Sequence, residues 1–205
     1  MNDQIIRPEP GARYAFDVSL EAAETYIRAA RHQMKHDRAA GMASFDDIFR
    51  SCEPPRAMNG RFGGELLAVD FVPGLNQYAA WVQRRFRPWL GKVLDSETAT
   101  GDNIFDRAAD PWLRLMMPLY RRRLPDTPAT FRALKFRTMT APSLGDPDMA
   151  VLRLDYDLPP NPAHTVRRIV DEVVELADGY YFGRAFVHLW WGPWVRVAYF
   201  SLRAT

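Results

Sequence analysis

The 205-residue chain is 47% hydrophobic and 25% charged, a balance typical of globular proteins that excludes an intrinsically disordered chain. Its 27 basic and 25 acidic residues are interspersed and give a net charge of +2, which argues against nucleic acid as a partner. No apolar run approaches the roughly 20 residues that span a bilayer, and the N-terminus lacks the pattern of a secretory signal. We therefore expect a cytoplasmic protein with no membrane partner.

The sequence carries few candidate motifs for a metal or a cofactor. Cys52 is the single cysteine, which excludes an intramolecular disulfide and a cysteine-based zinc cluster. His32 and His36 have the i, i+4 spacing of a metal-binding pair, but they lie opposite the apolar face of their predicted helix and lack a third ligand. The chain also lacks the glycine-rich motifs that bind nucleotides. We predict neither a metal site nor a cofactor.

The N-terminal quarter is predicted to be helical. Residues 1–16 show little periodicity and are predicted to form an extended arm. Ser19 has the position of an N-cap for a first helix that ends at Gly41, and Ser44 is predicted to start a short second helix. Residues 1–56 are thus predicted to be an N-terminal arm with helices.

After Gly60 the apolar period changes from helical to alternating. Strands are predicted at residues 60–72, 89–95, 131–140, 149–156, 181–190 and 194–203. Further helices are predicted at residues 74–86, 107–124 and 162–178, and a turn at residues 98–103. The helix at 162–178 is inferred from a stripe of Val and Ile residues between Pro162 and Gly179.

Helices inserted between pairs of strands indicate the α+β class. The predicted architecture is an antiparallel β-barrel or strongly curved sheet of about seven to nine strands, with N-terminal and inserted helices. We detect neither an internal repeat nor a linker long enough to separate two domains. Residues 1–205 are therefore predicted to form a single domain, in which residues 57–205 make the barrel and its inserted helices.

Two short glycine motifs resemble those of a known family. The segment Gly60-Arg61-Phe62-Gly63-Gly64, followed by Leu90-Gly91-Lys92, resembles the G-x-W-x-G opening and the next G-K strand of lipocalin-like (calycin) barrels. Phe62 takes the place of the signature tryptophan. The resemblance implies a barrel that holds a small apolar ligand and is completed by a C-terminal strand, here residues 195–202.

The aromatic content of 13% suggests a ligand cavity lined by rings. Alternation places Phe186, His188 and Trp190 on one face of their strand. A histidine titrates near neutral pH, so His188 is predicted to be a proton shuttle with Tyr199 or Tyr156 as hydrogen-bond donor. The alternative is an ordinary core or surface histidine. The predicted ligand-binding residues are Phe62, Phe136, Phe186, Trp190 and Trp194.

The predicted partner is a small apolar or aromatic organic molecule bound in the barrel cavity. The enzymatic form of this hypothesis is a lyase, isomerase or cyclase that uses acid/base chemistry without a cofactor. Two alternatives stay open: a noncatalytic carrier or sensor of a hydrophobic ligand, including haem, and a structural protein whose barrel is filled by its own side chains. Trp191 and Trp194 also suggest a homodimer interface.

Overall fold

The computed structural model describes residues 18–70 and 88–205. The predicted arm at 1–16 and the predicted helix at 74–86 lie outside the described residues. The α-helices in the described part are α1 (Leu20–His36), α2 (Arg38–Arg50) and α3 (Asp110–Met116). Its strands are β1 (Gly60–Val69), β2 (Trp89–Asp95), β3 (Thr100–Asp106), β4 (Leu124–Pro125), β5 (Thr130–Pro142), β6 (Ala150–Asp155), β7 (Ile169–Ala177), β8 (Tyr180–His188) and β9 (Trp194–Ala204).

Eight of these strands form a closed antiparallel barrel. Their order around the ring is β3-β2-β1-β9-β8-β7-β6-β5, and pairing between β3 and β5 closes it. The two-residue strand β4 pairs with β5. The predicted antiparallel barrel and the α+β class are therefore confirmed. None of the helices in the described ranges has the length and apolar character needed to cross a membrane.

The predicted helix at residues 162–178 is wrong. Residues Ile169–Ala177 form β7, which pairs with β6 and β8, and only Val166–Arg168 makes a short 3-10 turn. Both faces of β7 are buried, since Val173 packs inside the barrel and Val174 packs under the helices. A strand buried on both faces has apolar residues at almost every position, which conceals its two-residue period.

The boundary between the first two helices also differs from the prediction. A single residue, Asp37, separates α1 from α2, and its carboxylate accepts a hydrogen bond from the backbone N–H of Ala40 at 3.0 Å. The boundary predicted at Gly41 and Ser44 is therefore wrong. Gly41 lies within α2, where an added Cβ would come within 2.4 Å of the Met34 Cα atom. Glycine at this position lets the two helices approach closely.

Two other predicted segments are shorter or differently folded. The turn predicted at 98–103 is wrong from Thr100 onward, because β3 begins there after a tight turn in which Ala99 has φ 50°. Helix α3 ends at Met116 and does not continue to residue 124. Pro118 explains this early end, since proline disfavours helical geometry in the residue before it and lacks a backbone donor.

The two faces of the barrel wall bury separate apolar cores. Helices α1 and α2 cover the outer face, where the rings of Phe182 and Tyr199 stack with centroids 5.4 Å apart. Their sequence neighbours Tyr181 and Phe200 point into the barrel. Because the helices are packed on the outside, they leave the interior of the barrel free for its own core and a cavity.

The glycine motif of the sequence lies where two strands approach closely. Gly63 on β1 pairs with Gly91 on β2. Gly91 has φ +139°, and a Cβ there would come within 2.0 Å of the Phe62 carbonyl oxygen. The Phe62 ring lies inside the barrel, in an edge-to-face contact with Tyr181 at 5.4 Å. A side chain at position 91 would therefore separate β1 from β2.

Candidate ligand-binding site

The barrel contains a cavity of about 440 Å³, bounded by side chains from seven of the eight ring strands. Its volume falls in the range of about 300–1,000 Å³ that is common for small-molecule sites. The wall is mainly apolar and includes Leu66, Trp89, Leu134, Ala185, Val187 and Phe200. The cavity thus has the size and lining of a site for a small organic molecule.

Four polar side chains form a connected group in the cavity wall, which we call the polar cluster: Lys92, Asn103, Tyr156 and Asp171. The Lys92 ammonium donates to Asn103 Oδ1 at 2.8 Å, to the Tyr156 hydroxyl at 2.7 Å and to Asp171 Oδ2 at 2.8 Å. The Tyr156 hydroxyl in turn donates to Asp171 Oδ2 at 2.8 Å. All three N–H donors of the lysine therefore have acceptors.

The barrel assembles this cluster from segments that are distant in sequence. Lys92 on β2 and Asn103 on β3 are direct cross-strand partners, so both side chains point inward. Asp171 comes from β7 and Tyr156 from the chain just after β6. The Asn103 amide is fixed by a bond from its Nδ2 to the Leu134 carbonyl oxygen at 3.1 Å. The cluster is thus held in place by four parts of the barrel wall.

Burial changes the acid–base properties of the cluster. Lys92 is 2% exposed, and this burial lowers its pKa, while the Asp171 carboxylate opposes the change. Burial also raises the pKa of Tyr156 well above its ordinary value, so the phenol stays protonated as a hydrogen-bond donor. Lys92 therefore loses its proton and forms the neutral amine more readily than a lysine in water does.

Aromatic rings surround the Lys92 amine. Its Nζ atom lies 5.1 Å from the Phe136 ring centroid, 5.4 Å from those of Tyr156 and Phe200, and 5.5 Å from that of Trp89. Ring faces attract a cation at such distances. The rings thus partly compensate the Lys92 ammonium for the hydration that it loses on burial.

The structure does not bring the three predicted catalytic residues together. Tyr156 belongs to the polar cluster inside the barrel, whereas Tyr199 points outward and donates a hydrogen bond to Asp46 of α2. His188 also lies outside the barrel, with Nδ1 3.2 Å from an Arg168 amino nitrogen. Their catalytic roles stay predictions, and of the three only Tyr156 lines the cavity.

The predicted ligand-binding residues divide between the two faces of the wall. Phe62 and Phe136 belong to the core inside the barrel. Phe186 is outside, where its ring lies 5.3 Å from the Arg184 guanidinium. Trp190 and Trp194 line a groove on the outer surface together with His188, whose ring centroid is 4.9 Å from that of Trp194.

Three members of the polar cluster were missed from the sequence. Asn103 fell in the predicted turn, and Asp171 fell in the predicted helix. With residues 169–177 taken as a strand, alternation places Asp171 on the same face as Ile169 and Val173, and a carboxylate between two inward apolar residues indicates a buried polar site. Lys92 had a signal of its own, as the G-K lysine of the calycin-like motif.

The fold and the site together define an α+β protein with a closed eight-stranded antiparallel barrel and a cavity lined by seven of its strands, an architecture that fits a calycin-like fold. No protein-family model matches the sequence, and no curated protein matches it. The chain is similar to a crystal structure of a protein from Thermomonospora curvata, with 14% sequence identity and a TM-score of 0.46. The match covers 88% of this chain and 99% of that one.

Proposed function

We propose that the barrel binds a small, mainly apolar organic molecule with one polar group, oriented so that this group meets the polar cluster. The observation that carries the proposal is the 440 Å³ cavity whose apolar wall includes the buried Lys92, Tyr156 and Asp171. Apolar contact supplies affinity, at about 25 cal/mol per Å² of buried apolar surface, and a few fixed polar groups supply orientation.

The polar cluster is already ordered before a ligand arrives. Lys92, Tyr156 and Asp171 hydrogen-bond to one another, and Asn103 is fixed to the backbone. A preorganised site avoids the free-energy cost of ordering these side chains on binding. A carbonyl or hydroxyl group of the ligand is therefore the complementary partner, because one hydrogen bond within the polar cluster can be replaced by a bond to that group.

A second candidate is acid/base catalysis without a cofactor, of the lyase, isomerase or cyclase type. It is favoured by the buried amine of Lys92 beside Tyr156 and Asp171. In this candidate the proton moves within the polar cluster, and His188 and Tyr199 take no part because they lie on the outer face. A noncatalytic carrier uses the same cavity without the proton transfer. The described cavity lining contains no histidine to ligate haem.

Several finer predictions belong to the same proposal. We retain the lipocalin-like relationship, which is supported by the close contact of Gly91 with the Gly60–Gly64 segment. The cytoplasmic location, the single-domain organisation and the homodimer stay predictions from sequence.

The test is a binding measurement on a cavity-filling variant. Ala185 lines the cavity, and Ala150 is exposed at the start of β6, so Ala185→Phe and Ala150→Phe make the same chemical change inside and outside the site. We expect Ala185→Phe to weaken binding of the apolar fluorophore 1-anilinonaphthalene-8-sulfonate by about tenfold or more, while Ala150→Phe leaves it unchanged. Equal binding by both variants would place the ligand outside the barrel. Circular dichroism and thermal unfolding verify that both variants fold.

Native mass spectrometry of the protein as purified complements this test. A retained molecule of a few hundred daltons that is lost from Ala185→Phe, and kept by Ala150→Phe, identifies the ligand directly.

A further inference from the structure

The chain has three lysines, and they differ sharply in environment. Lys35 is exposed near the end of α1, and Lys135 is partly exposed on β5. Lys92 is buried in the barrel and lines the cavity. A buried amine in an apolar cavity is the usual setting of a lysine that reacts as a nucleophile.

We propose that Lys92 binds its ligand covalently as a Schiff base, so that the ligands of the cavity are small apolar aldehydes or ketones. The inference rests on the proposed function, which it deepens by naming the polar group as a carbonyl. Its geometric basis is the position of Lys92, which lines the cavity and whose Nζ atom lies 2.8 Å from a carboxylate and 2.7 Å from a phenol.

The neighbours of Lys92 account for every proton in the reaction. The Lys92 ammonium first passes one proton to the Asp171 carboxylate, which is 2.8 Å away. The amine lone pair then attacks the carbonyl carbon, and the C=O π pair moves to oxygen. A second amine proton reaches this oxygen through the Tyr156 hydroxyl, which gives a neutral carbinolamine.

Loss of water completes the step. The protonated Asp171 returns its proton to the carbinolamine hydroxyl, which leaves as water while the nitrogen lone pair forms the C=N bond. The product is a protonated imine beside the Asp171 carboxylate, so the barrel holds one cation and one anion both before and after the reaction. The pair replaces the ammonium–carboxylate pair of the free protein.

The surroundings of Lys92 favour the imine over its hydrolysis products. Burial lowers the pKa of Lys92, so the nucleophilic neutral amine forms more readily. A ligand that fills the apolar cavity displaces the water that would reverse the reaction. The rings of Phe136 and Phe200, whose centroids lie 5.1 and 5.4 Å from Nζ, face the cationic imine as they face the ammonium.

The experiment uses the wild-type chain and two matched probes, cinnamaldehyde and cinnamyl alcohol, which differ at the carbonyl. Each probe is incubated with the protein, sodium borohydride is added, and the peptides are mapped by mass spectrometry. Reduction converts an imine into a stable secondary amine. We expect cinnamaldehyde to label Lys92 at least about tenfold more than Lys35 or Lys135, which act as internal controls in the same sample.

Binding is measured in parallel by displacement of 1-anilinonaphthalene-8-sulfonate. If both probes displace the fluorophore but Lys92 carries no label, or the three lysines carry equal label, the Schiff-base inference is overturned. The binding proposal then stays intact. Displacement by neither probe removes the binding proposal and the inference with it.

Two variants separate reactivity from binding. Lys92→Arg keeps a cation in the barrel but lacks a nucleophilic amine, so we expect it to lose all labelling at position 92. Tyr156→Phe is expected to slow labelling of Lys92 by about tenfold, because it removes the proton relay and keeps the aromatic ring. Unchanged labelling in Tyr156→Phe would contradict the relay.

Discussion

Replacing Arg184 by methionine tests how strongly the fold depends on a buried ion pair outside the barrel. Arg184 on β8 is 1% exposed and its partner Glu172 on β7 is fully buried, with 2.9 Å between Arg184 Nε and Glu172 Oε2. The same guanidinium donates to Ser143 Oγ at 2.6 Å and to Asp146 Oδ2 at 2.7 Å. Its Cζ atom lies 4.0 Å from the Phe49 ring centroid, so it also contacts α2.

Methionine keeps most of the apolar volume of Arg184 but removes the charge and its donors. Glu172 then keeps the hydrogen bonds from Ser143 Oγ at 3.0 Å and from the Leu144 backbone N–H but loses its cation. Removing one partner of a buried ion pair costs about 3–5 kcal/mol, because the remaining charge stays buried without compensation. We therefore expect Arg184→Met to lower the free energy of unfolding by about 3–5 kcal/mol, which is more than a hundredfold in the unfolding equilibrium.

The assay is urea unfolding followed by circular dichroism, with Arg137→Met as the matched control. Arg137 also pairs with a carboxylate, Asp155, at 2.6 Å, but its side chain is 48% exposed, so its loss is expected to cost about 0–1 kcal/mol. The double variant Arg184→Met/Glu172→Met should recover part of the loss, since it leaves no unpaired carboxylate at position 172. A cost for Arg184→Met within about 1 kcal/mol of the control would refute the reasoning.

Two further predictions concern titration. Burial raises the pKa of the Cys52 thiol to about 12. We therefore expect the native protein to react with Ellman's reagent at least about a hundredfold more slowly than the urea-unfolded chain. Comparable rates would show that Cys52 is accessible in the native state. Burial alone would raise the pKa of Asp146, but hydrogen bonds from Arg50 and Arg184 lower it below the ordinary carboxyl value. The stabilisation from Asp146 is therefore complete above its unfolded pKa of about 3.9 and is lost as the pH falls through the lower folded pKa. We expect Asp146→Asn to flatten the dependence of the unfolding free energy on acid pH. The same pH dependence in the wild-type protein and the variant would contradict this.

The sequence predicted six of the eight ring strands and missed β3 and β7. The predicted bounds of β5 and β6 and of the terminal hairpin of β8 and β9 agree with the structure to within a few residues. Strand β7 was taken for a helix because both of its faces are buried. Closure of the ring between β3 and β5 depends on contacts distant in sequence, which local periodicity does not report.

The cavity was predicted, but most of its polar residues were not. Lys92 and Asp171 are 79 positions apart, and their contact follows from the register of the whole barrel. On β8 the large side chains Phe186 and His188 point outward, while Ala185 points into the cavity. Aromatic residues were taken as the signal for a ligand site, whereas on this strand the space for the ligand comes from a small residue.

The pairing of β1 with β9 has a consequence for biosynthesis. The first strand of the barrel bonds to the last, and Asp46 of α2 accepts hydrogen bonds from Arg196 and Tyr199, about 150 positions later. On the ribosome β1 can pair with β2, but its other edge lacks a partner until β9 has been translated and released. Contacts between such distant segments slow folding, so we expect a nascent chain with an open barrel to depend on chaperones longer than a chain whose sheets form between neighbouring strands.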